Sequence, residues 1–111
     1  MTSGQVVVTL ALLATIYGVP LKQPECISWY ESRHDVTAVN GIHISIAQWN
    51  PDAFYWLLEK AIADEYCPHR EYLKAHPTPE DDLSAMILMV WAIKNGYGSH
   101  WATWKFCSDI K

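Results

Sequence analysis

Thr78-Pro79-Glu80-Asp81-Asp82-Leu83-Ser84-Ala85-Met86-Ile87-Leu88-Met89-Val90-Trp91-Ala92-Ile93-Lys94-Asn95-Gly96 is the stretch on which the fold turns. A hydroxyl residue, a proline and two acids in succession mark a helix start, because each suits the unpaired N–H groups and positive end of a first turn. Leu83, Met86, Ile87, Val90 and Trp91 then recur at helical spacing, and Gly96 ends the run. Upstream, Asn50-Pro51-Asp52 repeats the start signal and predicts a helix to about Tyr66, before Pro68. A loose stretch follows to Pro77, with room for one helical turn. Gln5 to Tyr17 places Val6, Leu10, Leu13 and Tyr17 at helical spacing and stops at Gly18 and Pro20. Pro24 opens a second helix through about Arg33, with Cys26, Ile27, Tyr30 and Glu31 near one face. Val36 to Gln48 breaks the pattern: β-branched residues around Asn40-Gly41 predict an irregular loop or short hairpin. Ser99 is positioned to cap a last short helix holding Trp101 and Trp104. The expectation is an all-α fold with one irregular loop in its first half, residues 1–111 forming one domain.

Composition narrows the function. Half of the 111 residues are apolar, enough for a core and too many for a disordered chain. Eight Lys and Arg against twelve Asp and Glu give a net charge of −4, and the basic residues are scattered singly. No basic stripe faces a phosphate backbone, so no nucleic-acid partner is expected. Gln5 to Val19 is apolar but shorter than the roughly 20 residues that span a bilayer. It lacks a preceding Lys or Arg and a small-x-small cleavage site, so it reads as a buried helix, with neither a signal peptide nor a transmembrane segment expected. The three cysteines, Cys26, Cys67 and Cys107, form no CxxC, and the five histidines form no HExxH. Neither a metal nor a cofactor is expected. One disulfide is open to the cysteines, and the residues alone leave the pair undetermined.

Six Trp and six Tyr are many for this length. Any one of them reads first as core. Trp29, Trp49, Tyr97, Trp101 and Trp104 together, beside a polar loop, suggest a cleft for a flat ligand such as a sugar. Sugar C–H faces pack on rings while the hydroxyls bond amides and carboxylates.

Tyr17-Gly18-Val19-Pro20, a helix ending in Glu31-Ser32, and then Asp35 and Ala38-Val39-Asn40 resemble the lytic-transglycosylase domain of the lysozyme-like superfamily. Ser45-Ile46-Ala47-Gln48 stands at that family's "GLMQ" motif, with Ser45 in place of glycine. Asn95-Gly96-Tyr97-Gly98-Ser99-His100-Trp101-Ala102-Thr103-Trp104, followed by Cys107, is similar to the "GWGAW…C" ending of resuscitation-promoting factors. The resemblance implies a small lysozyme-like domain that cleaves the MurNAc–GlcNAc β-1,4 bond of peptidoglycan at the bacterial cell wall. It implies Glu31 as general acid and base, kept protonated by desolvation beside Tyr30 and apolar walls. Gln48, Ser45, Tyr97, Trp101 and Trp49 would bind substrate, with Ser32 and Asp35 in support. Formation of 1,6-anhydro ends is favoured over hydrolysis, because the sugar's acetamido oxygen replaces a second carboxylate. Asp35, four residues on, is the only nearby second carboxylate, and its ordinary reading is a structural cap. The cysteine arrangement of resuscitation-promoting factors implies a Cys26–Cys107 bond, although Cys26 precedes Glu31 by five residues instead of adjoining it. Compactness and the missing leader suggest a phage-encoded, virion- or tail-associated wall enzyme. The alternative is a glycan-binding or structural virion module that has lost turnover; a third reading is a helical domain whose tryptophans bury a partner protein.

Overall fold

In the computed structural model, which describes residues 1–110 and so leaves Lys111 outside, the helix signalled by Thr78-Pro79-Glu80-Asp81 is the central element, and it begins at Asp82, about a turn later than the Thr78-Pro79 signal indicates. It is α5, Asp82–Lys94, in the order α1 (Ser3–Tyr17), α2 (Lys22–Ser32), β1 (Val39–Asn40), β2 (His43–Ile44), α3 (Pro51–Ala63), α4 (Arg70–Ala75), α5, a 3₁₀ turn (Gly98–His100) and α6 (Trp104–Cys107). Every residue of α5 from Ser84 to Ile93 is buried, which explains why apolar residues surround it instead of forming a single stripe. Asp81 caps it by accepting from Ser84 N. Helices α1, α2 and α3 pack on α5, while α4 leans on α3 and α6 on α2. The chain is mainly helical, with one two-stranded antiparallel sheet that pairs Val39 with Ile44 and Asn40 with His43. No helix among the described residues is long and apolar enough to cross a membrane.

Several boundaries differ from the sequence reading, each for a local reason. Helix α1 starts earlier because Thr2 and Gln5 form a reciprocal capping box, side chain to backbone in both directions. Val6, Leu10, Leu13 and Tyr17 are buried as their spacing indicates. Helix α2 ends at Ser32, since Arg33 and His34 both adopt left-handed backbone at φ 56° and 64°. Helix α3 stops at Ala63, three residues short of Tyr66. Asp64 Oδ1 accepts from Tyr66 N at 3.0 Å, a side-chain turn that competes with helix continuation. Ser99 caps no helix: residues 98–100 form the 3₁₀ turn, and α6 begins after Thr103. Gly98 is needed there, because a Cβ would stand 2.7 Å from the Trp104 ring. Cys26 and Cys107 form a disulfide, and Cys67 is free and buried.

Two histidines make the fold acid-sensitive. His34 is buried and shares a 2.7 Å hydrogen bond with Ser28 Oγ, and His69 Nδ1 lies 3.0 Å from the Tyr17 hydroxyl. Burial pushes both below the ordinary histidine value of 6.5. The unfolded chain therefore binds protons that the native state refuses. Stability is fully present above pH 6.5 and falls as pH drops toward the native values, by at most about 1.4 kcal/mol per pH unit for each histidine. Asp35 and Asp81, both shifted below 3.8, act only at still lower pH. Urea midpoints should be lower at pH 5.5 than at pH 7.5, and His34→Gln should shrink the difference; equal midpoints in the wild type would contradict this.

Candidate active site

Glu31 lies in the last turn of α2, and its carboxyl group borders a cleft of about 240 Å³. The polar wall carries His43, Gln48, Asn50 and His100, and the floor is made by Trp49 and Trp101. The segment between β2 and α3 folds back by an antiparallel bridge between Ile44 and Trp49, which brings Gln48 and Trp49 toward α2. Ser32 helps to hold that return, with its hydroxyl 2.7 Å from Ile46 O and 3.1 Å from Ser28 O. Its role is to tie helix to loop.

The floor is rigid because both indole N–H groups are already used. Trp49 Nε1 donates to Ala85 O on α5 at 3.1 Å, and Trp101 Nε1 donates to Ala47 O at 3.0 Å. The two rings meet edge to face at 5.0 Å. A ligand would meet ring edges and carbon there, with its polar contacts coming from the walls. Gln48 lines the cleft but is occupied: Nε2 donates to Ser45 O and Ala38 O, and Oε1 accepts from Asn40 Nδ2. Its amide fixes the loop in a left-handed conformation at φ 49°.

One residue that the sequence reading missed acts directly on Glu31. Thr103 Oγ1 donates to Glu31 Oε2 at 2.9 Å. Oε1 has no protein partner among the described residues. The signal for Thr103 was present as a residue preceding a short helix, but its hydroxyl leaves that helix uncapped and reaches α2 instead. The disulfide fixes α6 to α2 on the same side of the fold. His43 and His100 were also unassigned in the sequence; the loop return and the 3₁₀ turn place them on opposite sides in sequence of the same cleft.

No family model, curated protein or solved structure matches this chain. Among the described residues no group of three or more His, Cys, Asp or Glu is placed to hold a metal ion.

Other candidates are placed elsewhere. Asp35 is exposed and outside the cleft lining; its Oδ1 accepts from Thr37 N and Thr37 Oγ1, which also holds its carboxyl below the usual range. Ser45 is buried, and its hydroxyl has no hydrogen-bond partner among the described residues, so it offers nothing to a ligand. Tyr97 stacks on Trp91 at 5.9 Å and lines a different cavity. Trp29 lies on the surface under the Arg33 guanidinium, and Trp104 packs beneath Gly98. Of the five aromatics expected to form one cleft, only Trp49 and Trp101 do so. Tyr30, expected as an apolar wall for Glu31, is half-exposed and packs on Phe106 instead.

Proposed function

We propose that this chain is a peptidoglycan-degrading enzyme of lysozyme-like type that cleaves the MurNAc–GlcNAc β-1,4 bond, with Glu31 as acid and then base. The observation that carries the reading is a single carboxyl group at an aromatic-floored cleft. Glu31 is the only Asp or Glu in that lining, and Asp35 is engaged in its own turn. A cleft with one carboxylate suits a reaction in which the substrate supplies its own neutral nucleophile, the acetamido oxygen, in place of a second carboxylate. The protonated Glu31 gives its proton to the glycosidic oxygen as the C1–O bond breaks, and the acetamido oxygen of MurNAc closes on C1. The ionised Glu31 then takes the C6 hydroxyl proton. O6 attacks C1, the acetamido oxygen departs, and a 1,6-anhydro end results with no water consumed. Action at the bacterial cell wall, in a virion or tail assembly, belongs to the same proposal.

Mass spectrometry of peptidoglycan digests tests the chemistry. Anhydro-muramic ends, lighter by one water than hydrolysis products, are expected. Reducing muramic ends alone would replace the lyase reading with a hydrolytic muramidase.

Ser45 favours a second reading, a glycan-binding virion module without turnover. It occupies φ 68°, a conformation that suits glycine, and buries an unpartnered hydroxyl at a cost of about 1–3 kcal/mol. A loop under that strain can hold the fold while displacing the sugar. Retention on insoluble peptidoglycan with no clearing in a zymogram would select this second reading.

A further inference from the structure

A second surface of the molecule has the make-up of a binding groove and shares no lining residue with the Glu31 cleft. Three cavities of about 350, 390 and 190 Å³ adjoin one another near the C-terminal ends of α3 and α5. The first two share Asp64, Trp91 and Asn95, and the second and third share Lys60 and Ala63. Aromatic rings step along this run. Tyr66 is almost fully exposed, Trp91 forms the floor, Tyr97 stacks on Trp91, and Trp56 stands edge-on to Tyr97 at 5.7 Å with 52% of its surface exposed.

Between the rings sit polar groups that are held in place and only partly used. Asp64 Oδ2 accepts from Trp91 Nε1 at 2.9 Å, and Oδ1 accepts from Tyr66 N at 3.0 Å. The carboxylate is thereby oriented with acceptor capacity left on both oxygens. Asn95 spends one amide hydrogen on Trp91 O and keeps the other, together with its oxygen. Charge along the run is balanced, with Asp64 and Glu59 against Lys60 and Lys94. In such a groove a phosphate would face the like charge of Asp64 and Glu59, a metal ion would face that of Lys60 and Lys94, and an apolar segment would strand the carboxylates. A polar, uncharged chain with alternating C–H faces and hydroxyls meets neither penalty.

We propose that this groove binds an uncharged pyranose chain, with Tyr97 and the face of Trp56 opposite the Lys60 ammonium, which lies 4.5 Å over the ring, as stacking platforms and Asp64 and Asn95 as hydroxyl partners. Binding in this groove requires nothing of the Glu31 cleft, with which it shares no lining residue.

The test is titration of the ¹⁵N-labelled chain with two soluble probes, the hexamer of N-acetylglucosamine and the hexamer of glucose, watching the six indole N–H signals. Trp91 Nε1 reports directly on Asp64, which it contacts. The expected result is that the Trp91 and Trp56 signals shift with at least one probe, in wild type and in Glu31→Gln alike. Trp56→Ala, an exposed position, should weaken that binding roughly two- to tenfold. Shifts confined to Trp49 and Trp101 would overturn the groove and leave the Glu31 cleft standing. No indole shift at millimolar probe would overturn it as well. So would Trp56 and Trp91 signals that broaden with protein concentration before any probe is added, which would mark the face as a contact between copies of the chain.

Discussion

Glu31→Gln is expected to abolish wall clearing and to leave the fold intact. The amide matches the acid in shape, and its oxygen can still accept the hydrogen bond from Thr103 Oγ1 that now fixes Glu31 Oε2 at 2.9 Å. Packing at the end of α2 is thus preserved. What the amide cannot do is release a proton and take one back. Loss of a positioned general acid lowers rate by about 10²–10⁴, and here one group would serve both halves of the reaction. Turbidity clearing of purified peptidoglycan, alongside circular dichroism, measures both parts. A folded Glu31→Gln protein that clears at the wild-type rate removes the enzymatic reading. Thr103→Val is the companion test: without the Thr103 hydroxyl the Glu31 carboxyl group is no longer held in one orientation at the cleft, so clearing should fall by roughly tenfold, with Thr103→Ser restoring activity. Asp35→Asn and Gln48→Ala should each cost less than Glu31→Gln, because the first closes a turn and the second holds a loop.

The helices were legible because their signals are local. Asn50-Pro51-Asp52 sits where α3 begins and Asn50 supplies its cap, whereas the Thr78-Pro79 signal runs ahead of α5, which begins at Asp82 with Asp81 as its cap. Asn40-Gly41 likewise marked the small hairpin, with Gly41 at φ 63°. The cleft was legible only in part, since its members come from four separate segments. Spacing along one helix indicates which face a residue occupies, but not which distant segment crosses that face. Tyr97 and Trp101, four residues apart, therefore seemed partners; the 3₁₀ turn between them sends one ring to Trp91 and the other to Trp49. Thr103 was hidden for the same reason, its partner being 72 positions away. The second aromatic groove escaped notice because Trp56 and Tyr66, on and just after one helix, gain meaning only when α5 packs beside them.

The Cys26–Cys107 bond carries the other large expected effect. It spans 81 positions of the 111-residue chain, so its loss returns the freedom of that loop to the unfolded state. The loop-entropy estimate for that length is about 4–5 kcal/mol. A domain of this size commonly has about 5–15 kcal/mol in all, so the bond is a large share of the margin. Few other contacts hold the last segment to α2: Thr103 Oγ1 donates to Glu31 Oε2 at 2.9 Å, Gln23 Nε2 donates to Ser108 O at 2.8 Å, and the Tyr30 and Phe106 rings pack at 5.4 Å. Cys26→Ser should therefore lower the thermal midpoint by on the order of 20 °C. It should also reduce wall clearing at temperatures where the variant is still folded, because α6 begins directly after Thr103 and carries that hydroxyl toward Glu31. Thiol titration of denatured, unreduced protein should count one group, Cys67. Three titratable thiols would show that the bond does not form, and an unchanged midpoint in Cys26→Ser would show that it contributes little to holding the fold.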